Sequence, residues 1–477
     1  MSSSVLTVAS DSTRPEERGP WLKRLGLPPF LLLAAGSLIY GILWGPYYDA
    51  AIFGVIGEQL ARGLLPYRDA WDHKPPGTYA LVAALTFLPG PTWPWIWAAS
   101  VGFLGGTAEV VRRLTSWLPA VVALLCTGLW PLALGGGQTE TFACLPAVAA
   151  LLWAARGRFL VAGLLAGISL AFSLELLPLC AALLVLSEFR ARALFSLLAG
   201  GTVVVLSVIA TFAITGVLPA AIDVLVVYNR IYLGSDRTED LPTAYQLLLA
   251  MLPLLVALPL RSARFTVMER AALAWILVAI VGMAVQGRLL PHYAIPLGIP
   301  LAVLAASPLR RPQVSALALV ALAVVVPWSA GVALATFHST HRGPATERVA
   351  AWIRNHTRST DRLLVWGTDA NIYLSSGRQP AGRYVYLIPL VTPGYTTPRL
   401  IGTWVADLAR DPPRIIVDSE AANPHWSEGA DFFRPPPPGA AGGRDLDLLQ
   451  PLRDFVKQDY VLVAEIAGRK VYELATK

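Results

Sequence analysis

Between residues 27 and 335 the chain is a succession of apolar runs, many approaching the roughly 20 residues that a helix needs to cross a bilayer. The first is WLKRLGLPPFLLLAAGSLIYGILWG (21–45) and the last VSALALVALAVVVPWSAGVAL (314–334). Only 14% of the 477 residues are charged, against about a quarter in soluble domains, and the mean hydropathy is +0.55. A polytopic α-helical membrane protein is therefore expected. The first run has a basic flank but no small-residue cleavage site, so it reads as an uncleaved span rather than a signal peptide. The three cysteines, Cys126, Cys144 and Cys180, lie in or beside apolar runs, where packing is their expected role and no disulfide framework is implied.

The arginines give the topology. Arg112 with Arg113, Arg156 with Arg158, Arg190 with Arg192, the group Arg261, Arg264 and Arg270, and Arg310 with Arg311 fall at every second junction between runs. That alternation is the positive-inside pattern, and it explains the net charge of +7 without nucleic acid, for which no zinc-ligand spacing or basic-aromatic stripe is present. These junctions and the tail 1–26 are expected on the cytoplasmic side. TYALVAALTFLPG (78–90) is too short and too bounded by Gly and Pro to cross alone, which leaves about eleven spans in a unit covering 27–335. The stretch AAIFGVIGEQLARG (50–63) reads as a short amphipathic helix lying in the interface.

From 336 to 477 the composition turns polar. RLLVWG, RYVYLIPL, RIIVDS and YVLVAEIAGRKVYEL are strand-type runs, with helical patterns near 345–355, 397–410 and 445–457. A small α/β domain is expected, closing on a hairpin that turns at Ala467-Gly468, with RPPPPGAAGGR (434–444) as a loop. No G-x-G-x-x-G follows RLLVWG, so a dinucleotide site is not indicated. By parity this domain lies outside the cytoplasm.

The ionisable residues outside those arginine clusters gather at the opposite ends of the runs. The first outer loop, 46–76, holds Asp49, Asp72, His73 and Lys74; later outer junctions hold Glu140, Glu175, Arg288 and His292, with Tyr293 beside it. Charge at the membrane boundary is costly and usually marks a functional cavity. Asp49 and Glu140, which abut apolar spans, are the sharpest candidates. For Glu58 and Asp69 a plain charged loop and a place in that cavity are equally open readings.

YYDAAIF…ARGLLPYRDAWDHKPPGTY (47–79) resembles the first outer loop of GT-C glycosyltransferases, as in protein O-mannosyltransferases and bacterial aminoarabinose transferases of the family-39-like group. In that loop an acid follows the first span and a K-P-P element closes it, here Asp49 and Lys74-Pro75-Pro76. GGQTETF (136–142) is similar to the second acidic position, GRLLPHYAIPL (287–297) to the HY entry to a late span, and VWGTDANIYLSSGRQPAGRYVY (365–386) to the outer domain of bacterial members. The chain departs from the pattern at Ala50, where the family acid is often followed by Glu, and at Glu175, where many relatives have lysine. The resemblance implies inverting transfer of a sugar from a polyprenyl-phosphate donor to an acceptor protein, glycan or lipid at the outer face of the cell membrane. It implies Asp49 as general base, Glu140 as its partner, Lys74, Arg288 and His292 around the phosphate, and Asp72, His73, Tyr293 and Glu175 around the substrates. A divalent metal between Asp49 and Glu140 stays open. The competing classes are a multi-pass transporter or lipid flippase, which predicts internal repeats or mid-span charge, and a non-catalytic membrane scaffold.

Overall fold

The computed structural model describes residues 48–133, 136–235, 241–261, 264–286, 291–340, 342–419 and 446–475. The expected N-terminal tail, the first apolar run and the loop 434–444 lie outside these residues. The chain opens with α1 (Tyr48–Ala61) and α2 (Gly77–Leu85), joined by the irregular loop 62–76. At nine residues α2 is about 13 Å long, well short of a bilayer, as its sequence predicts. There follow α3 (Thr92–Leu114), α4 (Trp117–Ala133), α5 (Thr139–Ala155), α6 (Phe159–Phe172), α7 (Leu179–Leu186) and α8 (Ala191–Ile214). After α9 (Leu218–Ile222), a π-helical turn over Asp223–Tyr228 leads into α10 (Asn229–Ser235), then α11 (Leu241–Leu255), α12 (Val267–Gln286), α13 (Gly298–Ala305) and α14 (Pro312–Thr340).

Among the described residues, α8 and α12 are long and apolar enough to cross a membrane on their own, and several shorter apolar helices pack beside them. The arginines end these helices as expected. Arg112 and Arg113 close α3 on Glu109 at 2.6 and 2.9 Å, and Arg261 lies 3.0 Å from Glu269 between α11 and α12. Small residues set the spacing. A Cβ on Gly163 of α6 would stand 2.1 Å from the Leu197 carbonyl, and one on Gly200 of α8 2.3 Å from that of Leu160. The two backbones therefore touch, the arrangement that glycine permits between membrane helices.

The C-terminal region runs α15 (Arg342–His356), β1 (Arg362–Trp366), α16 (Asn371–Ser376), β2 (Gln379–Pro380), α17 (Pro398–Arg410), β3 (Ile415–Asp418), α18 (Gln450–Asp459), β4 (Tyr460–Ile466) and β5 (Arg469–Leu474). Its sheet has the order β2-β1-β3-β5-β4; the first three strands are parallel and the last two antiparallel. All four residues of β3 are buried, as befits a central strand, and the hairpin turns at Ala467 and Gly468, both at positive φ. Thr397 caps α17 by accepting the Leu400 amide at 3.2 Å.

Two expectations are corrected. RYVYLIPL (383–390) is not a strand: apart from one bridge at Tyr384 it is bends ending in a 3₁₀ turn at Ile388–Leu390. Tyr384, Val385, Tyr386 and Leu387 are all buried, so its apolar character serves as an anchor and not as a ladder. Nor is α1 amphipathic in the interface. Ala50 to Gly57 are buried all round, and Cβ atoms on Gly54 and Gly57 would strike Leu374 and Val82. Leu374 packs on one hydrophobic core shared by α1, the loop residues Tyr67 and Trp71, the 217–228 segment and the C-terminal sheet, and Val82 packs with Ile96 and Phe142. A second core unites α4 to α8 with α11 to α14.

Candidate active site

Asp49 opens α1 and is half-buried. Its neighbours come from the Gly136-Gly137 turn, where both glycines have positive φ. A Cβ on Gly137 would fall 2.6 Å from that of Ala50, so only glycine lets the turn press on α1; the Gly137 amide donates to Ser100 Oγ at 2.8 Å. The turn delivers Gln138, whose side chain favours the ionised form of Asp49, and Glu140 in the first turn of α5. Glu140 is wholly buried. Its Oε1 accepts from Thr139 at 3.0 Å and Ser173 at 3.1 Å, and stands 3.9 Å from Lys74 Nζ. Among the described residues its Oε2 has no hydrogen-bond partner, and neither has Nε2 of the buried His292.

Lys74 precedes the two prolines that lead into α2, and its carbonyl accepts from the Tyr67 hydroxyl at 3.0 Å. Glu175 lies beyond Ser173, in a 3₁₀ turn, and accepts from Gln286 Nε2 at 3.2 Å. His292 and Tyr293 lie in the 3₁₀ turn Pro291–Leu297, their rings 4.6 Å apart and edge-on.

The charges are coupled. Burial pushes the Asp49 carboxyl up to about 7; Lys74 opposes this, and Asp72 and Glu140 add to it. Burial disfavours the Lys74 ammonium, but Glu140, Tyr293, Glu175 and Asp49 outweigh it and hold the amine above the usual lysine range. Burial raises Glu175, and Lys74 draws it partly back. Burial takes His292 down to about 4 against the pull of Glu140, so it is neutral at pH 7 and acts by hydrogen bonding. The site therefore holds a fixed cation, a carboxyl poised near neutrality and a buried acid with one oxygen unspent.

Of the nine residues singled out in the sequence, Arg288 lies outside the described residues. Asp49, Lys74, Glu140, Glu175, His292 and Tyr293 are drawn together. Asp72 and His73 are adjacent but engaged otherwise: Asp72 is buried and accepts the hydroxyls of Tyr79 and Tyr386, and His73 packs against both Tyr228 and Tyr232 at 5.4 and 5.2 Å. Sequence reasoning missed Gln138 and Gln286; Gln138 stands inside the quoted GGQTETF, where its amide gave no charge signal. Asp49 and Glu140 offer two carboxylates, and water or substrate phosphate would have to complete the about six oxygen ligands of a divalent ion. Among the described residues no group of three or more His, Cys, Asp or Glu is placed to hold one.

No protein-family model matches the chain, and no curated protein does. Solved structures do. ArnT from Cupriavidus metallidurans in the apo state superposes with a TM-score of 0.59 at 16% identity, covering 93% of this chain and 97% of that one. The same enzyme bound to undecaprenyl phosphate gives 0.59 at 15%, covering 95% and 98%. The Archaeoglobus fulgidus oligosaccharyltransferase gives a weaker 0.44 at 14%, covering 84% and 69%. This chain has the fold of the GT-C membrane glycosyltransferases.

Proposed function

We propose that the protein is a membrane glycosyltransferase that moves a sugar from a polyprenyl-phosphate donor to an acceptor, inverting the anomeric centre, at the outer face of the cell membrane. The observation that carries this reading is the convergence of Asp49, Lys74 and Glu140, from three separate segments, in a fold whose solved example ArnT is bound to undecaprenyl phosphate.

In this reading Asp49 accepts the proton of the attacking hydroxyl as that oxygen bonds to the anomeric carbon. The bond from that carbon to the phosphate oxygen breaks, and its electron pair leaves with the polyprenyl phosphate. Lys74 faces the charge that develops there, and is set in place before the reaction by Glu140 and Glu175. Arg288 joins it as a second cation. Glu140, with its unspent oxygen, and neutral His292 orient the acceptor, and Tyr293 lines the same space. The unit 27–335, with about eleven spans, carries the reaction, and 336–477 lies outside the cytoplasm.

Purified protein incubated with labelled polyprenyl-phosphate sugars tests it. Covalent transfer of label with release of polyprenyl phosphate is expected. Movement of intact donor across proteoliposomes without transfer would instead make the protein a flippase.

A further inference from the structure

The loop that carries Lys74 is clasped by the C-terminal region. The Trp71 amide donates to the Arg383 carbonyl at 2.7 Å, and Trp71 and Tyr384 form a parallel bridge. The Trp71 indole N–H donates to the Tyr395 hydroxyl at 3.2 Å, which donates to Asp223 at 2.8 Å. Asp72, next in the chain, is 3% exposed, and its two oxygens are divided between two elements. One takes the Tyr386 hydroxyl at 2.7 Å, with His73 Nδ1 3.4 Å away; the other takes the Tyr79 hydroxyl from α2. That Tyr79 hydroxyl also lies 3.3 Å from the Lys74 carbonyl. Asn229 closes the clasp by donating to the His73 carbonyl at 3.1 Å.

A buried carboxylate receiving hydroxyls makes short, strongly directional bonds, and in a dry surrounding it has no other way to be satisfied. Lys74 follows two positions after Asp72, with only His73 between them, so a turn of this carboxylate moves the lysine. A misplacement of about 1 Å in a reacting group is enough to lower its contribution severely. We propose that Tyr386, acting through Asp72, is a positioning residue for Lys74, so that the C-terminal region sets the cation of a site built mostly from other parts of the chain. This rests on the reading of Lys74 as the group facing the donor phosphate.

The test measures binding of undecaprenyl phosphate to the full chain in nanodiscs, for wild type, Tyr386→Phe, Lys74→Ala and the double variant. Tyr386→Phe keeps the ring that packs 5.9 Å from Trp71 and loses only the hydroxyl. Binding should weaken about tenfold in the single variant and not at all when the change is made on Lys74→Ala, as for two residues acting as one unit. Amide hydrogen exchange over 71–76 should quicken in Tyr386→Phe. Asp72→Asn, which keeps the side-chain shape, carries the same expectations should Tyr386→Phe fold poorly. Equal losses in both backgrounds, or wild-type affinity in Tyr386→Phe, would overturn the inference while leaving Lys74 in its role. Unchanged binding by Lys74→Ala alone would remove that role and the inference with it.

Discussion

Gly163 on α6 and Trp71 in the loop 62–76 are both fully enclosed, by opposite means. Around Gly163 the helices meet because side chains are missing, and elsewhere in the helical region hydroxyls are satisfied on the same or the next helix: Ser169 donates to the Ala143 carbonyl and Thr127 to that of Ala123. Around Trp71 large rings fill the space, Tyr228 at 4.6 Å and Tyr386 at 5.9 Å, and their polar atoms reach partners hundreds of residues away. Where side chains are missing, close backbone fit carries the packing; where rings fill the space, aromatic burial does. The candidate site lies where the two packings join. Asp49 and Lys74 come from the ring-filled side, and Glu140, Glu175 and His292 from the ends of close-fitted helices.

The contrast breaks first at Trp71. Trp71→Ala should cost the core shared by α1 and the C-terminal sheet about 3–5 kcal/mol, as for large aromatic truncations, read by chemical unfolding in detergent. A loss below about 1 kcal/mol would mean the rings merely line the loop. Gly163→Val should cost about 1–3 kcal/mol through overpacking against the Leu197 carbonyl, with no change in the exchange protection of residues 71–76. If protection there fell equally, the two packings would be one.

A gentler probe is pH. In the proposed role Asp49 works as a base only when ionised, and burial pushes its carboxyl up to about 7, so turnover per donor bound should fall about tenfold per pH unit below that point and level off above it. A flat profile from pH 5.5 to 8.5 would take Asp49 out of the proton transfer. Smallest of all is Asp69→Asn. Asp69 accepts from Arg68 and the Leu65 amide on the far side of the loop, and the change should leave turnover within twofold. A large loss would extend the site along the loop.

How far the sequence reveals this follows from what each residue does. Asp49, Lys74 and Glu140 stand out because a charge beside an apolar run has few bland explanations. Tyr79 and Tyr386 carry no such signal: tyrosine is ordinary, and their shared partner Asp72 lies 314 residues from one of them. The same long-range docking hid the fate of 383–390, whose apolar residues look like a ladder and serve as a clasp. In α1, Glu58 and Gln59 imitate a solvent face, yet Glu58 accepts from Thr92 at 2.8 Å and Gln59 is buried. Periodicity reports which residues avoid water; it is silent on which neighbour excludes it.

The most direct test compares wild type and Asp49→Asn for transfer of label from polyprenyl-phosphate sugar at saturating donor. Asparagine keeps the shape and one acceptor oxygen but takes up no proton near pH 7. Turnover should fall by about 10²–10⁴, the usual worth of a general base, with folding and undecaprenyl phosphate binding retained. Transfer at near wild-type rate by well-folded Asp49→Asn would contradict the account and move the base to Glu140.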